Sequence, residues 1–96
     1  MGTRDEMLAA YDVTNNKNRN KLVDQLKDLG LVPIQKSVMW GYLSKAEQSA
    51  VMRIYEELLE KTDRAFLIRA NLTKQLNKFA GTVPTDIKEP QAYDIL

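Results

Sequence analysis

Asp12 closes a short apolar run, MLAAYDV (residues 7–13), and the chain then passes through asparagines into the basic stretch KNRNK (17–21). A carboxylate at the end of an extended segment can hold a hard cation. Mg²⁺ typically takes one or two carboxylates, several waters and the phosphate oxygens of a substrate. The basic stretch opens a helix, read over residues 17–29 from Leu22, Leu26 and Leu29 at helical spacing with Val23 beside them. Helix N-termini expose unpaired N–H groups and partial positive charge, so acidic side chains are favoured there. This helix begins instead with Lys17, Arg19 and Lys21 and carries no acid before Asp24. An anion would relieve that conflict, and phosphate is a common ligand of helix N-termini. Solvated lysines also tolerate such positions, and both readings stay open. Arg19 is spaced to share the face of Leu22, Val23 and Leu26, where its fork could meet phosphate oxygens. Asn15 or Asn16 supplies the cap.

A lone aspartate makes a weak metal site, and the local sequence offers no second acid. Two-fold symmetry can provide one, because a residue near a dimer axis meets its own copy. Two such carboxylates repel unless a proton or cation lies between them. The competing reading is that Asp12 only caps a turn. The chain has no histidine and no cysteine, which excludes Ser–His and Cys–His pairs, His-ligated zinc and thiolate sites. Ser37 has no evident base. Any hydrolysis would therefore use a water activated by a metal, with Asp12 placing the ion and Arg19 or Lys21 steadying phosphate charge. Tyr11, Met39 and Trp40 could stack on bases, but at strand positions such residues are more often core or interface. Lys45, Arg53, Lys61, Lys74 and Lys78 read as solvated charge that could also follow a nucleic-acid backbone.

The elements that must position these residues follow from patterning. Residues 7–13 read as a buried strand ending at Asp12. Gly30 stands just past the helix end. LVPIQKSVMW (31–40) reads as strand, broken at Gly41, and Pro33 argues that it starts at a sheet edge. Ser44 and Glu47 form a capping box, starting a second helix with Ala46, Ala50, Val51, Ile54 and Leu58 on its apolar stripe. RAFLIRANL (64–72) reads as another strand, and TKQLNKFAG (73–81) is ambiguous. Residues 1–6 read as a disordered tail or an expression remnant. Residues 7–83 form the domain, and residues 84–96 an extended segment whose AYDIL could add a strand. Two helices interleaved with about four strands predict an α+β two-layer sandwich of ferredoxin-like form, with an antiparallel sheet and both helices on one face.

Bulk composition agrees. Ninety-six residues with 44% hydrophobic and 28% charged content suit one soluble domain. The net charge of +1 makes any basic character local. No apolar run approaches the ~20 residues that span a bilayer, and the lack of cysteine fits a reducing cytoplasm.

YDVTNNKNRNKLVDQLKDLG (11–30) followed by IQKSVMWGYLSKAE (34–47) resembles the small CRISPR-associated protein family called Cas-two. There a strand ending in Tyr-Asp leads to an Arg-bearing helix, and a Gln-x-Ser-Val-Phe strand and a Gly precede the second helix. The resemblance implies a ferredoxin-like fold and a homodimer with its aspartates facing across the axis. It also implies a Mg²⁺-dependent endoribonuclease-type activity and a role bridging CRISPR integrase dimers on duplex DNA during spacer acquisition. By position, Tyr11 and Asp12 match the family Tyr-Asp and Arg19 the helix arginine, while Lys21 stands where another arginine is frequent. Catalysis and metal binding would fall to Asp12. Nucleic-acid contact, with double-stranded DNA or single-stranded RNA, would fall to Lys17, Arg19, Lys21 and Tyr11. Tyr93, Ile95 and Leu96 would meet the dimer partner or the integrase. Met39 replaces the usual Phe, and Pro33 a frequent basic residue. A toxin-like ribonuclease of the VapD kind shares the fold, and a catalytically silent nucleic-acid-binding dimer is the remaining alternative.

Overall fold

The computed structural model describes residues 3–82 and Ile87. The elements run β1 (Asp5–Asp12), α1 (Asn16–Asp28), β2 (Val32–Gln35), β3 (Val38–Leu43), α2 (Lys45–Leu58) and β4 (Arg64–Arg69). The strands form one sheet in the order β2-β3-β1-β4, every pair antiparallel. This is the ferredoxin-like α+β sandwich that the patterning predicts. Two 3-10 turns, Leu72–Lys74 and Leu76–Lys78, occupy the ambiguous stretch after β4.

Local chemistry accounts for each boundary. The Asn15 side chain accepts the Asn18 N–H at 2.9 Å and starts α1. At its other end Gly30 adopts φ 101°. The Gly30 N–H reaches Lys27 C=O at 2.9 Å and the Leu31 N–H reaches Leu26 C=O at 3.1 Å. Together these bonds form a Schellman stop. Ser44 and Glu47 close the capping box reciprocally, at 3.1 and 2.8 Å, and start α2. Pro33 sits in β2, an edge strand, where its missing N–H is tolerated.

Three boundaries differ from the sequence reading, the first being that β4 ends at Arg69 and not at Leu72. β1 begins at Asp5, so the polar tail is shorter than residues 1–6. Asp5 accepts from Gln48 Nε2 at 2.9 Å and pairs with Lys45 Nζ at 3.0 Å, partners too distant in sequence to be foreseen. The strand break lies at Lys36 and Ser37, not at Gly41, giving a β2–β3 hairpin. Gly41 lies inside β3 because the β-strand meets the α1 terminus there. A Cβ would stand 2.9 Å from Leu31 Cδ2 and 3.0 Å from Gly30 O.

Alternation along β1 sends Met7, Ala9 and Tyr11 inward. They pack with Met39 and Leu43 of β3, Leu22 and Leu26 of α1, and Val51, Tyr55 and Leu58 of α2. The buried Tyr55 hydroxyl donates to Phe66 C=O at 2.9 Å. Burial, reinforced by the neighbouring Tyr11, pushes its phenol well above the ordinary range. Glu6, Leu8, Ala10 and Asp12 point to the other face, level with Val38, Trp40 and Tyr42 of β3 and with Phe66 and Ile68 of β4. Part of that face is covered by the chain beyond β4. Glu6 accepts from Trp40 Nε1 at 2.8 Å, the Leu72 N–H at 2.6 Å and the Thr73 hydroxyl at 3.3 Å. Phe66 and Ile68 remain 50% and 49% exposed.

Candidate nucleic-acid site at the end of the central strand

Asp12, at the exposed end of β1, lines a cavity of about 280 Å³ together with Val13, Arg19, Lys36 and Ser37. Three elements converge there: the β1 terminus, the first turns of α1 and the β2–β3 turn. The Tyr11 N–H donates to Ser37 C=O at 3.1 Å and holds the hairpin turn against β1. Arg19 is half-buried, as its spacing predicts. Its guanidinium donates from Nη1 to Val13 C=O at 2.9 Å and from Nη2 to Asn16 Oδ1. These bonds fix the fork beside Asp12 and leave its other N–H groups for an anion. No acidic residue lies in the first turn of α1.

Asp63 braces the same end of the fold. Its carboxylate accepts the Glu60 N–H at 2.8 Å and the Thr14 N–H at 3.1 Å. These two backbone bonds, the one from Glu60 foremost, hold its carboxyl below the usual range. The loop after β1 and the turn before β4 are thereby tied together.

Of the contact residues expected from sequence, Asp12 and Arg19 are brought to one cavity, while Lys17 and Lys21 stand exposed on α1 outside its lining. Tyr11 is a correction. Only 6% of it is exposed, on the helix side of the sheet, so its ring cannot stack on a base. Burial raises its phenol pKa against the opposing effect of Arg19. Its role is to set the strand from which Asp12 projects. Trp40 and Met39 are likewise buried. Tyr93, Ile95 and Leu96 lie outside the described residues. The structure adds Lys36, Ser37 and Arg64 to the neighbourhood of Asp12, placements that depend on strand register.

Residues 6–80 match the family described as CRISPR associated protein Cas2. This chain belongs to the Cas2 family. It is 43% identical over 75 residues to "CRISPR-associated endoribonuclease Cas2 1" of Francisella tularensis subsp. novicida, covering 78% of this chain and 77% of that protein. It is 38% identical over 56 residues to a CRISPR-associated endoribonuclease Cas2 of Korarchaeum cryptofilum, covering 58% and 56% of the two chains. Among solved structures, a hypothetical protein from Thermus thermophilus superposes with TM-score 0.72 at 24% identity, over 84% of this chain and 95% of that one. A structure described as cas2 superposes with TM-score 0.67 at 20% identity, over 93% of this chain and 100% of that one. Both structural likenesses speak to the fold.

The donor set bears on metal binding. Among the described residues there is no group of three or more His, Cys, Asp or Glu that could hold a metal ion. Asp12 is one carboxylate, and Asp63 is spent on backbone N–H groups. The described residues of one chain thus fall short of a closed site. Two Asp12 carboxylates with substrate phosphate oxygens would reach the set that Mg²⁺ commonly uses. Among the described residues no helix is long and apolar enough to cross a membrane.

Proposed function

We propose that this Cas2-family chain works in the cytoplasm as a homodimeric nucleic-acid-binding subunit of CRISPR adaptation, bridging integrase subunits on duplex DNA. We propose further that its two Asp12 carboxylates form a phosphodiesterase site across the dimer axis. The observation carrying this reading is that Asp12 shares a sheet face with Phe66 and Ile68, large apolar side chains left half-exposed. A second copy laid on that face would bury them and bring the two strand ends together.

In such a pair, Asp12 from each subunit would hold Mg²⁺, which when bound supplies Lewis-acid polarisation of a phosphate oxygen. Arg19, preset by Val13 and Asn16, would orient the phosphate and oppose its developing charge. Lys17 and Lys21 would add backbone contacts along α1. Tyr93, Ile95 and Leu96 are proposed to meet the partner subunit or the integrase.

The test is cleavage of single-stranded RNA and double-stranded DNA with Mg²⁺, in parallel with spacer integration in a reconstituted system. Asp12→Ala is expected to lose cleavage while remaining a dimer. Undiminished cleavage by that variant would remove the hydrolytic role. The absence of a three-donor group among the described residues favours a second reading, in which the dimer is a bridge only. That reading expects Asp12→Ala to integrate spacers at the wild-type rate, and loss of integration by a correctly assembled Asp12→Ala dimer would exclude it.

A further inference from the structure

Strand register and the cavity at the strand end place Asp12 between two cations. In the β1–β4 pair its partner is Arg64. In the β1–β3 pair the register reaches Ala10 opposite Val38. The Tyr11 N–H to Ser37 C=O bond at 3.1 Å continues it by one residue. The next residue, Lys36, lies in the turn between β2 and β3 and lines the cavity at the strand end together with Asp12. Asp12 and Arg64, directly opposed in antiparallel strands, have Cβ atoms about 5 Å apart, and Lys36 stands on the other side of Asp12 at the cavity. The end of the sheet therefore carries a row of charge: plus, minus, plus.

Neither flanking cation is used by the fold of the described residues. Arg64 and Lys36 are exposed and make no side-chain hydrogen bond or ion pair among the described residues. Arg69, at the other end of β4, differs: it pairs with Asp5 at 3.6 Å. A structural ion pair thus closes one end of the sheet, while two cations with free donors stand at the other. Arg19, beside them, has two of its N–H groups engaged internally.

We propose that Lys36 and Arg64 grip a nucleic-acid phosphodiester across Asp12 without requiring a divalent ion, making this row a phosphate-binding site in its own right. The inference rests on the reading of the chain as a nucleic-acid binder, and names residues of that site which the sequence pattern did not show. The row has a net positive charge, so phosphate is attracted even with Asp12 ionised. Arg64 presents a planar fork that can take two phosphate oxygens, and Lys36 a mobile ammonium. Asp12 opposes the anion between them, and a divalent ion there would only strengthen a grip already present.

Fluorescence anisotropy with a labelled DNA duplex, titrated across a series of KCl concentrations in EDTA, tests this. The slope of log K against log[KCl] falls by about 0.9 for each phosphate no longer neutralised, so it is expected to drop in Lys36→Gln and in Arg64→Gln, and by about that amount per site when both are replaced. Lys27→Gln, which removes the same charge from the far end of α1, should keep the wild-type slope. Asp12→Asn should bind more tightly in EDTA with its slope unchanged, since the repelling charge is gone. Wild-type slopes in Lys36→Gln and Arg64→Gln, with circular dichroism and mass confirming folded dimers, would overturn the proposal while leaving nucleic-acid binding intact. A wild-type protein that binds no duplex in EDTA at any salt would overturn it too. If that protein also bound neither duplex nor single-stranded RNA in Mg²⁺, the broader reading would fall with it.

Discussion

At the scale of single residues, the polar groups around the strand end divide into those held by the fold and those left open to solvent. Asp63 and Arg19 belong to the first kind, since each is tied to backbone from another segment. Asp12, Lys36 and Arg64 belong to the second. Asp63 allows a prediction about acid. Its folded pKa lies below the model-peptide value of about 3.9, chiefly through the Glu60 and Thr14 N–H groups. A depressed carboxyl adds stability that is fully present above the unfolded value and is lost as pH falls through the folded one. Asp63→Asn should therefore be less stable than wild type at neutral pH, with the difference shrinking as pH drops below about 4. Urea denaturation at pH 7 and at successively lower pH measures this, and a pH-independent difference would contradict it. The same variant should loosen the loop carrying Thr14 and raise amide exchange there, next to the proposed phosphate site.

At the scale of elements, the capping box and the interior glycine make opposite kinds of statement about legibility. Ser44 and Glu47 announce the start of α2 because both halves of the motif are local, and the helix begins where they place it. Ser44→Ala should cost about 1 kcal/mol by loss of the cap, readable as a shifted urea midpoint. The Asn15 cap and the Gly30 stop are local too, and α1 follows its expected span to within a residue. Gly41 reads as a strand break because glycine is intrinsically poor in strands. Its reason is tertiary: β3 presses against Leu31 and the Gly30 carbonyl, a contact that only the assembled sandwich reveals. Gly41→Ala should cost about 1–3 kcal/mol through overpacking, and a stability equal to wild type would show that Leu31 can yield. The candidate site divides the same way. Asp12 and Arg19 are legible because one apolar run and one helical period fix them. Lys36 and Arg64 are not, because their nearness to Asp12 depends on two strand registers set by residues far along the chain.

At the scale of the whole molecule, the sheet is two-sided and, among the described residues, only one side is fully covered. The helices seal the face of Met7, Ala9 and Tyr11. The opposite face is capped near Trp40 by the segment anchored on Glu6, and is open at Phe66 and Ile68. Burying one large aliphatic or aromatic side chain contributes roughly 1.5–3 kcal/mol, so a symmetric pair of such faces gains from four side chains at once. Association also has to overcome several kcal/mol of lost rigid-body freedom, which makes these residues decisive. Ile68→Asp should convert the dimer to a monomer in light scattering after size exclusion, because an ionised carboxylate in an apolar interface has no partner there. Since Ile68 is half exposed in the single chain, its replacement should leave the circular dichroism and the thermal transition of the monomer intact. The monomer should then lose Asp12-dependent cleavage, each chain having one carboxylate, while still binding duplex weakly through Lys36 and Arg64. A monomeric Ile68→Asp protein that cleaved at the wild-type rate would show that one Asp12 suffices. If instead Ile68→Asp stayed dimeric, the two chains would meet through another surface, and the pairing of aspartates would lose its physical basis.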